Sequence, residues 1–300
     1  MKIKQFLIAV CVGTMFAACS SKNEPSHYET AKEIHIKTQI NKLQTRADEN
    51  PTNLQNTQFV ENAKINVYFT NETTGAKLPG LGSADYATYT NTASGWTTDV
   101  SGLTYPMSND GVEIFAIYPS QDSGGNFITK STSKFSVQTN QDTDEKYRQS
   151  DLMYAYDPCT QSQNDPQTLR FNHCLAKIIV KINPEPAMTK EDFLNCLSDM
   201  YIENVKNTAN LSIENGVLKA TVDPTSNNSM IFIGSGSEDF CEEGMSAIIV
   251  PQTVASGKTL FYIDFGAKES WLYRYCPWIA HTKTVSQISS CNGTLFKIIV

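Results

Sequence analysis

The chain has 300 residues, 40% of them hydrophobic and 18% charged, with a formal net charge of −7. That is enough apolar material for one or two packed cores, while the acidic balance argues against nucleic-acid partners and against a polybasic lipid-binding surface. Beyond the N-terminal segment, no apolar run approaches the roughly 20 residues that a membrane-crossing helix requires.

At the N-terminus, Lys2 and Lys4 precede an apolar run over residues 6–18 that is too short to remain in a bilayer as a helix, so residues 1–18 read as a signal peptide. The run closes on Phe16-Ala17-Ala18-Cys19, followed by the polar Ser20-Ser21-Lys22-Asn23-Glu24. Small residues before a cysteine resemble the lipobox of bacterial lipoproteins. The expectation is cleavage before Cys19 and lipid on its thiol, holding an otherwise soluble chain at the outer membrane. The bland alternative is an ordinary signal peptide with an incidental cysteine.

Residues 19–46 form a polar leader with one exception. Glu33-Ile34-His35-Ile36-Lys37-Thr38-Gln39-Ile40 alternates strictly and places Ile34, Ile36, Thr38 and Ile40 on one face, so it needs a sheet to cover it. Just beyond, Leu43-Gln44-Thr45-Arg46-Ala47-Asp48-Glu49-Asn50 sets a single arginine in a polar stretch accessible to a protease, with Arg46 and Ala47 flanking the expected cut. Two dull readings stand beside these: an ordinary first strand that is never removed, and one solvated charge.

From residue 47 onward the dominant signal is short alternating runs separated by Gly, Asn, Ser, Thr and Pro, the pattern of half-buried antiparallel strands. Ile65-Asn66-Val67-Tyr68-Phe69 is the first, and residues 112–118, closed by Pro119, are another. Residues 169–182 read as one strand long enough to cross a sandwich or bend from one unit into the next. Leu211-Ser212-Ile213-Glu214-Asn215-Gly216-Val217-Leu218 reads as a hairpin, because Asn-Gly supplies the two positive-φ positions of a type I′ turn. Residues 247–250 and 260–265 add strands. One short helix is expected behind Thr189, which lies three residues before Asp192, with Phe193, Leu194 and Leu197 as its apolar stripe. Asn183-Pro184-Glu185-Pro186 interrupts pairing, which divides an all-β chain into two sandwich-like units, 47–184 and 185–300.

Chemistry-bearing residues are sparse. Setting aside Cys11 and Cys19, the thiols are Cys159, Cys174, Cys196, Cys241, Cys276 and Cys291, whose pairing the sequence leaves open among 15 arrangements. No Cys-x-x-Cys occurs, and only His173 and His281 lie beyond the leader, so no metal, cofactor or catalytic residue is expected. His173 sits in an apolar strand without a nearby nucleophile and reads as a structural imidazole. Trp96, Trp271 and Trp278 with nearby tyrosines offer either a sugar-stacking platform or core filling, and the latter is the commoner use of such residues.

Four segments in order carry a resemblance. Phe115-Ala116-Ile117-Tyr118-Pro119 is followed by Ser150-Asp151-Leu152-Met153-Tyr154-Ala155, then Leu169-Arg170-Phe171-Asn172-His173-Cys174-Leu175-Ala176-Lys177-Ile178, then Ile248-Ile249-Val250-Pro251-Gln252. Together they resemble the fimbrillin family, the Mfa-like and FimA-like pilus proteins of Bacteroidales. The resemblance implies two transthyretin-like β-sandwich domains in tandem. It further implies export as a lipoprotein, maturation by an arginine-specific protease, and assembly with other pilin subunits when a neighbour's strand fills the groove that proteolysis opens. Members usually continue into one more strand after the Gly-x-x-hydrophobic strand, whereas this chain stops at Gly293-Thr294-Leu295-Phe296-Lys297-Ile298-Ile299-Val300. That run, through Leu295, Phe296, Ile298 and Val300, is the candidate donor strand, and a final core strand of its own domain is an equally physical reading. Two functions follow: assembly into adhesive fimbriae, or a non-polymerising surface lipoprotein that binds a host protein or glycan.

Overall fold

The computed structural model describes residues 31–41, 58–108, 110–160, 165–181, 189, 191, 194, 197–235, 244–255, 258–265 and 295–299. In chain order the strands are β1 (Ile36–Ile40), β2 (Lys64–Asn71), β3 (Ala87–Thr92), β4 (Gly95–Thr98), β5 (Val112–Tyr118) and β6 (Lys134–Ser136). After the helix α1 (Asp144–Ser150) come β7 (Met153–Thr160), β8 (Gln167–His173), β9 (Ala176–Lys181), β10 (Leu197–Lys206) and β11 (Thr208–Glu214). The last are β12 (Val217–Val222), β13 (Asn228–Ser235), β14 (Met245–Ile249), β15 (Phe261–Phe265) and β16 (Leu295–Ile299). The protein is all-β and sandwich-like, as expected.

Seven strands form one sheet in the order β1-β8-β7-β5-β2-β3-β4, and three smaller sheets follow, β13-β10-β15, β12-β11-β6 and β14-β9-β16. The central strands of the large sheet are apolar on both faces because both are covered. Along β5, Val112, Ile114 and Ala116 enter a first core with Ile65, Val67, Phe69, Leu169 and Phe171. Its alternate residues Phe115 and Ile117 enter a second core with Ile178, Met200, Ile202 and Ile231. The period of two in the sequence therefore sorts residues between two cores rather than between core and solvent.

The run at 169–182 divides into β8 and β9. Odd positions Leu169 and Phe171 fill the first core, whereas even positions Ala176, Ile178 and Val180 fill the second. The pairing breaks at Cys174 and Leu175, where the Cys174 amide donates to the Leu152 carbonyl at 2.9 Å. β8 stays in the large sheet, and β9 joins β14 and β16. Both β6 and β9 precede residue 183 yet pair within the smaller sheets; the expected divide at 183–188 itself falls on residues outside the described set.

The helix differs from expectation. Glu191 and Leu194 are helical, but the rest of that segment lies outside the described residues, and Leu197, expected on the apolar stripe, already begins β10. The helix that the structure does describe, α1, is capped by Thr143, whose hydroxyl accepts from the Lys146 amide, with Asp144 and Glu145 in its first turn. Those residues complement the orphan donors and positive end of the helix dipole. The hairpin at β11 and β12 forms as read, with φ of 52° at Asn215 and 77° at Gly216.

Candidate functional site

The leader strand occupies an edge of the large sheet. β1 runs parallel to β8, with Ile36 opposite Gln167 and Ile40 opposite Phe171. The ladder is closed at one end by the Gln167 amide donating to the His35 carbonyl at 2.8 Å, and at the other by the Asn41 amide donating to the Phe171 carbonyl at 2.9 Å. Ahead of β1 the chain pairs on its opposite side: the Ile34 amide donates to the Leu103 carbonyl, and the Tyr105 amide to the Lys32 carbonyl, each at 2.9 Å. Residues 32–41 are thus wedged between segment 103–105 and β8.

The alternation read from the sequence sets the strand's faces. Ile34, Ile36 and Ile40 are buried in the first core, and Thr38 is half-buried on the same side. Each isoleucine contributes on the order of 1.5–3 kcal/mol by leaving water. Polar fixtures supplement the apolar face. Asp165 accepts from the His35 amide with one carboxylate oxygen and faces His35 Nδ1 with the other, both at 2.8 Å. The Trp96 indole on β4 donates to the Thr38 hydroxyl at 2.9 Å. Asn41 Nδ2 donates to Asn172 Oδ1 at 2.8 Å. Trp96 is held in turn edge-on against Phe59, with ring centroids 5.3 Å apart. Sequence reasoning found the strand but missed these acceptor-side residues, since nothing local to Trp96, Asp165 or Asn172 marks them as neighbours of residues 35–41.

A second polar constellation joins the two cores. His173 Nδ1 lies 2.8 Å from Asp151 Oδ1, and its side chain is only 3% exposed. Asp151 follows α1 directly, so the imidazole ties the helix terminus to the end of β8. Lys177 projects over the Tyr147 ring at 5.3 Å; burial lowers its pKa to about 8, against an opposing pull from Asp151. Burial also raises the Cys174 thiol and the Tyr147 hydroxyl. These contacts tie α1 to β8 and β9. Among the described residues, no group of three or more His, Cys, Asp or Glu side chains could hold a metal ion.

The remaining expected sites are placed as follows. Leu295, Phe296 and Ile298 lie in β16, which runs parallel to β9 at the edge of its sheet, Leu295 opposite Lys177 and Ile299 opposite Lys181. Cys19, Arg46, Ala47 and Val300 lie outside the described residues, as do Trp271 and Trp278. Cys174 is a free thiol.

An all-β sandwich closed at its edge by its own leader strand is the class of protein these features define. The fimbrillin-like family model matches residues 45–274, most of the chain, and the protein belongs to that family. No curated protein matches it. Among solved structures it is similar to a candidate cell adhesion protein from Bacteroides ovatus, with 17% identity, 90% of this chain and 92% of that one covered, and a TM-score of 0.57. A candidate cell adhesion protein from Bacteroides uniformis is similar at 16% identity, with 81% and 88% covered and a TM-score of 0.54. At such identities the likeness establishes the fold.

Proposed function

We propose that this protein is a fimbrial subunit or fimbria-associated surface lipoprotein that supports adhesion, held at the outer membrane by lipid on Cys19 and assembled by strand exchange. Cleavage between Arg46 and Ala47 frees the leader strand, and a strand from another subunit takes its place beside β8. The observation that carries this reading is the position of β1: an edge strand with two buried isoleucines and a third, Ile34, just ahead of it, followed within a few residues by the sole arginine of the leader. Family membership supports the pilus role, and the C-terminal run from Leu295 to Val300 is the candidate donor.

The physical logic makes cutting the trigger. While attached, the leader competes for its groove at an effective concentration that reaches about millimolar for a short tether, so a free donor at lower concentration loses. Once it is cut, the advantage disappears. An empty groove would leave backbone groups of β8 and segment 103–105 without partners, each costing roughly 1–3 kcal/mol if kept from water. The test is treatment of the purified protein with an arginine-specific protease. Ladders or filaments are expected from the wild type and none from Arg46→Ala, which should remain a folded monomer; equal polymer from both would overturn the scheme.

A further inference from the structure

We infer that the groove under β1 selects its incoming strand by a polar reading frame, in which Trp96 demands a hydroxyl at one inward position while Asp165 and Asn172 hold donors three residues to either side. The inference rests on the strand-exchange reading and specifies which strand chemistry the groove accepts.

Apolar pockets alone cannot fix the register of a strand. Side chains repeat with a period of two, so a slip by one residue turns the apolar face outward, but a slip by two restores it. Ile34, Ile36 and Ile40 occupy equivalent inward positions, and against such pockets a frame shifted by two would pack nearly as well. Thr38 breaks that degeneracy. It is the one polar residue among the four on the inward face, and it meets the Trp96 indole, whose Nε1 donates to its hydroxyl at 2.9 Å. Shifting by two would set an isoleucine against the indole N–H and carry the threonine hydroxyl into an isoleucine pocket, leaving two polar groups without partners.

The outward face is read by different chemistry. Asp165 takes a backbone amide with one oxygen and a side-chain nitrogen with the other at position 35, so proline is excluded there and a donor side chain is favoured. Asn172 receives an amide nitrogen at position 41. The partner that fits is therefore an extended segment parallel to β8 with aliphatic residues at the places of Ile34, Ile36 and Ile40, serine or threonine at that of Thr38, and hydrogen-bond donors at those of His35 and Asn41; the run from Leu295 to Val300, without serine or threonine, meets only the apolar part of this frame.

Peptides test this directly. The full chain is cut with an arginine-specific protease, the released leader is removed by gel filtration, and synthetic peptides covering residues 32–42 are titrated back while tryptophan fluorescence is read. The wild-type peptide should rebind, a Thr38→Ser peptide should match it within about twofold, and a Thr38→Val peptide should bind about fivefold more weakly, the loss expected for one net hydrogen bond. Equal binding of the Val and Thr peptides would overturn the reading frame and leave strand exchange intact. A cut chain that never releases its leader would instead contradict strand exchange, and with it any selection of a replacement. On the uncut chain, Thr38→Val should raise opening at the Gln167 amide about fivefold in hydrogen exchange, with little further effect when Trp96→Phe is added; independent, additive effects would overturn the pairing.

Discussion

Single residues account for the points where the sheets meet. Gly216 needs its glycine twice, because its φ of 77° lies in the left-handed region and because a Cβ there would run into the Tyr156 ring of the large sheet. Gly216→Ala should therefore destabilise the protein by about 1–3 kcal/mol, read as a lower denaturant midpoint. Only the turn requirement was legible in the Asn-Gly pair; the contact with Tyr156 joins residues 60 positions apart, beyond the reach of local pattern. Two glutamines act similarly at a distance. Gln252 accepts from the Lys206 amide at 2.8 Å and donates to the Lys206 carbonyl at 2.9 Å, serving beside a register shift of β10 as a short substitute strand. Gln141 does the same for both backbone groups of Ile248, each at 2.8 Å. The Pro-Gln segment was readable as a motif, but its job was not, since a lone glutamine carries no signal of which backbone it will satisfy.

Lys177 gives a residue-scale prediction with a definite sign. The unfolded chain keeps that proton up to the ordinary lysine value near 10.4, whereas the folded chain gives it up near pH 8 because burial disfavours the charge. Between those values the unfolded state binds more protons, so this residue makes stability rise with pH. Cys174 and the buried Tyr89 and Tyr118, the last two pushed up to about 12 by burial, act oppositely once pH passes their ordinary ranges near 9 and 10. Urea melts should show stability increasing from about pH 8 to 9 in the wild type and no such increase in Lys177→Met.

At the scale of elements, strands were legible wherever alternation was clean. β2, β5, β11 and β12 follow their sequence runs closely, β11 and β12 with a side-chain period that matches their burial, and β2 and β5 with buried residues on both faces. The run at 169–182 was harder. Its change of parity at Cys174 is present in the sequence, but an apolar stretch with both faces buried resembles a single long strand until the second core is known. α1 was missed although Thr143, Asp144 and Glu145 form a readable helix start; at 7 residues it is too short to show the apolar periodicity that usually draws attention to a helix. For the leader strand the alternation sufficed to identify the inward residues, and the parallel pairing with β8 follows from topology alone.

The described residues form one large sheet shared between two cores, with three smaller sheets beside it, and the edge of the large sheet is completed by a segment from outside the matched family region, which begins at residue 45. That architecture gives the leader a double character. It is integral to the first core through Ile34, Ile36 and Ile40, yet it is covalently connected to the rest of that core only through the stretch that contains Arg46. On the proposed scheme, a single cut there would convert an intramolecular contact into one that a neighbouring subunit can compete for. The measurement that bears most directly on this claim is the composition of the assembled material. Polymers formed after arginine-specific cleavage should be isolated and analysed by intact mass spectrometry under denaturing conditions. The account predicts subunits beginning at Ala47 and no leader fragment retained in the polymer; a fragment carrying residues 31–46 present in equal number to the subunits would show that the strand stays in its groove and that assembly proceeds without exchange.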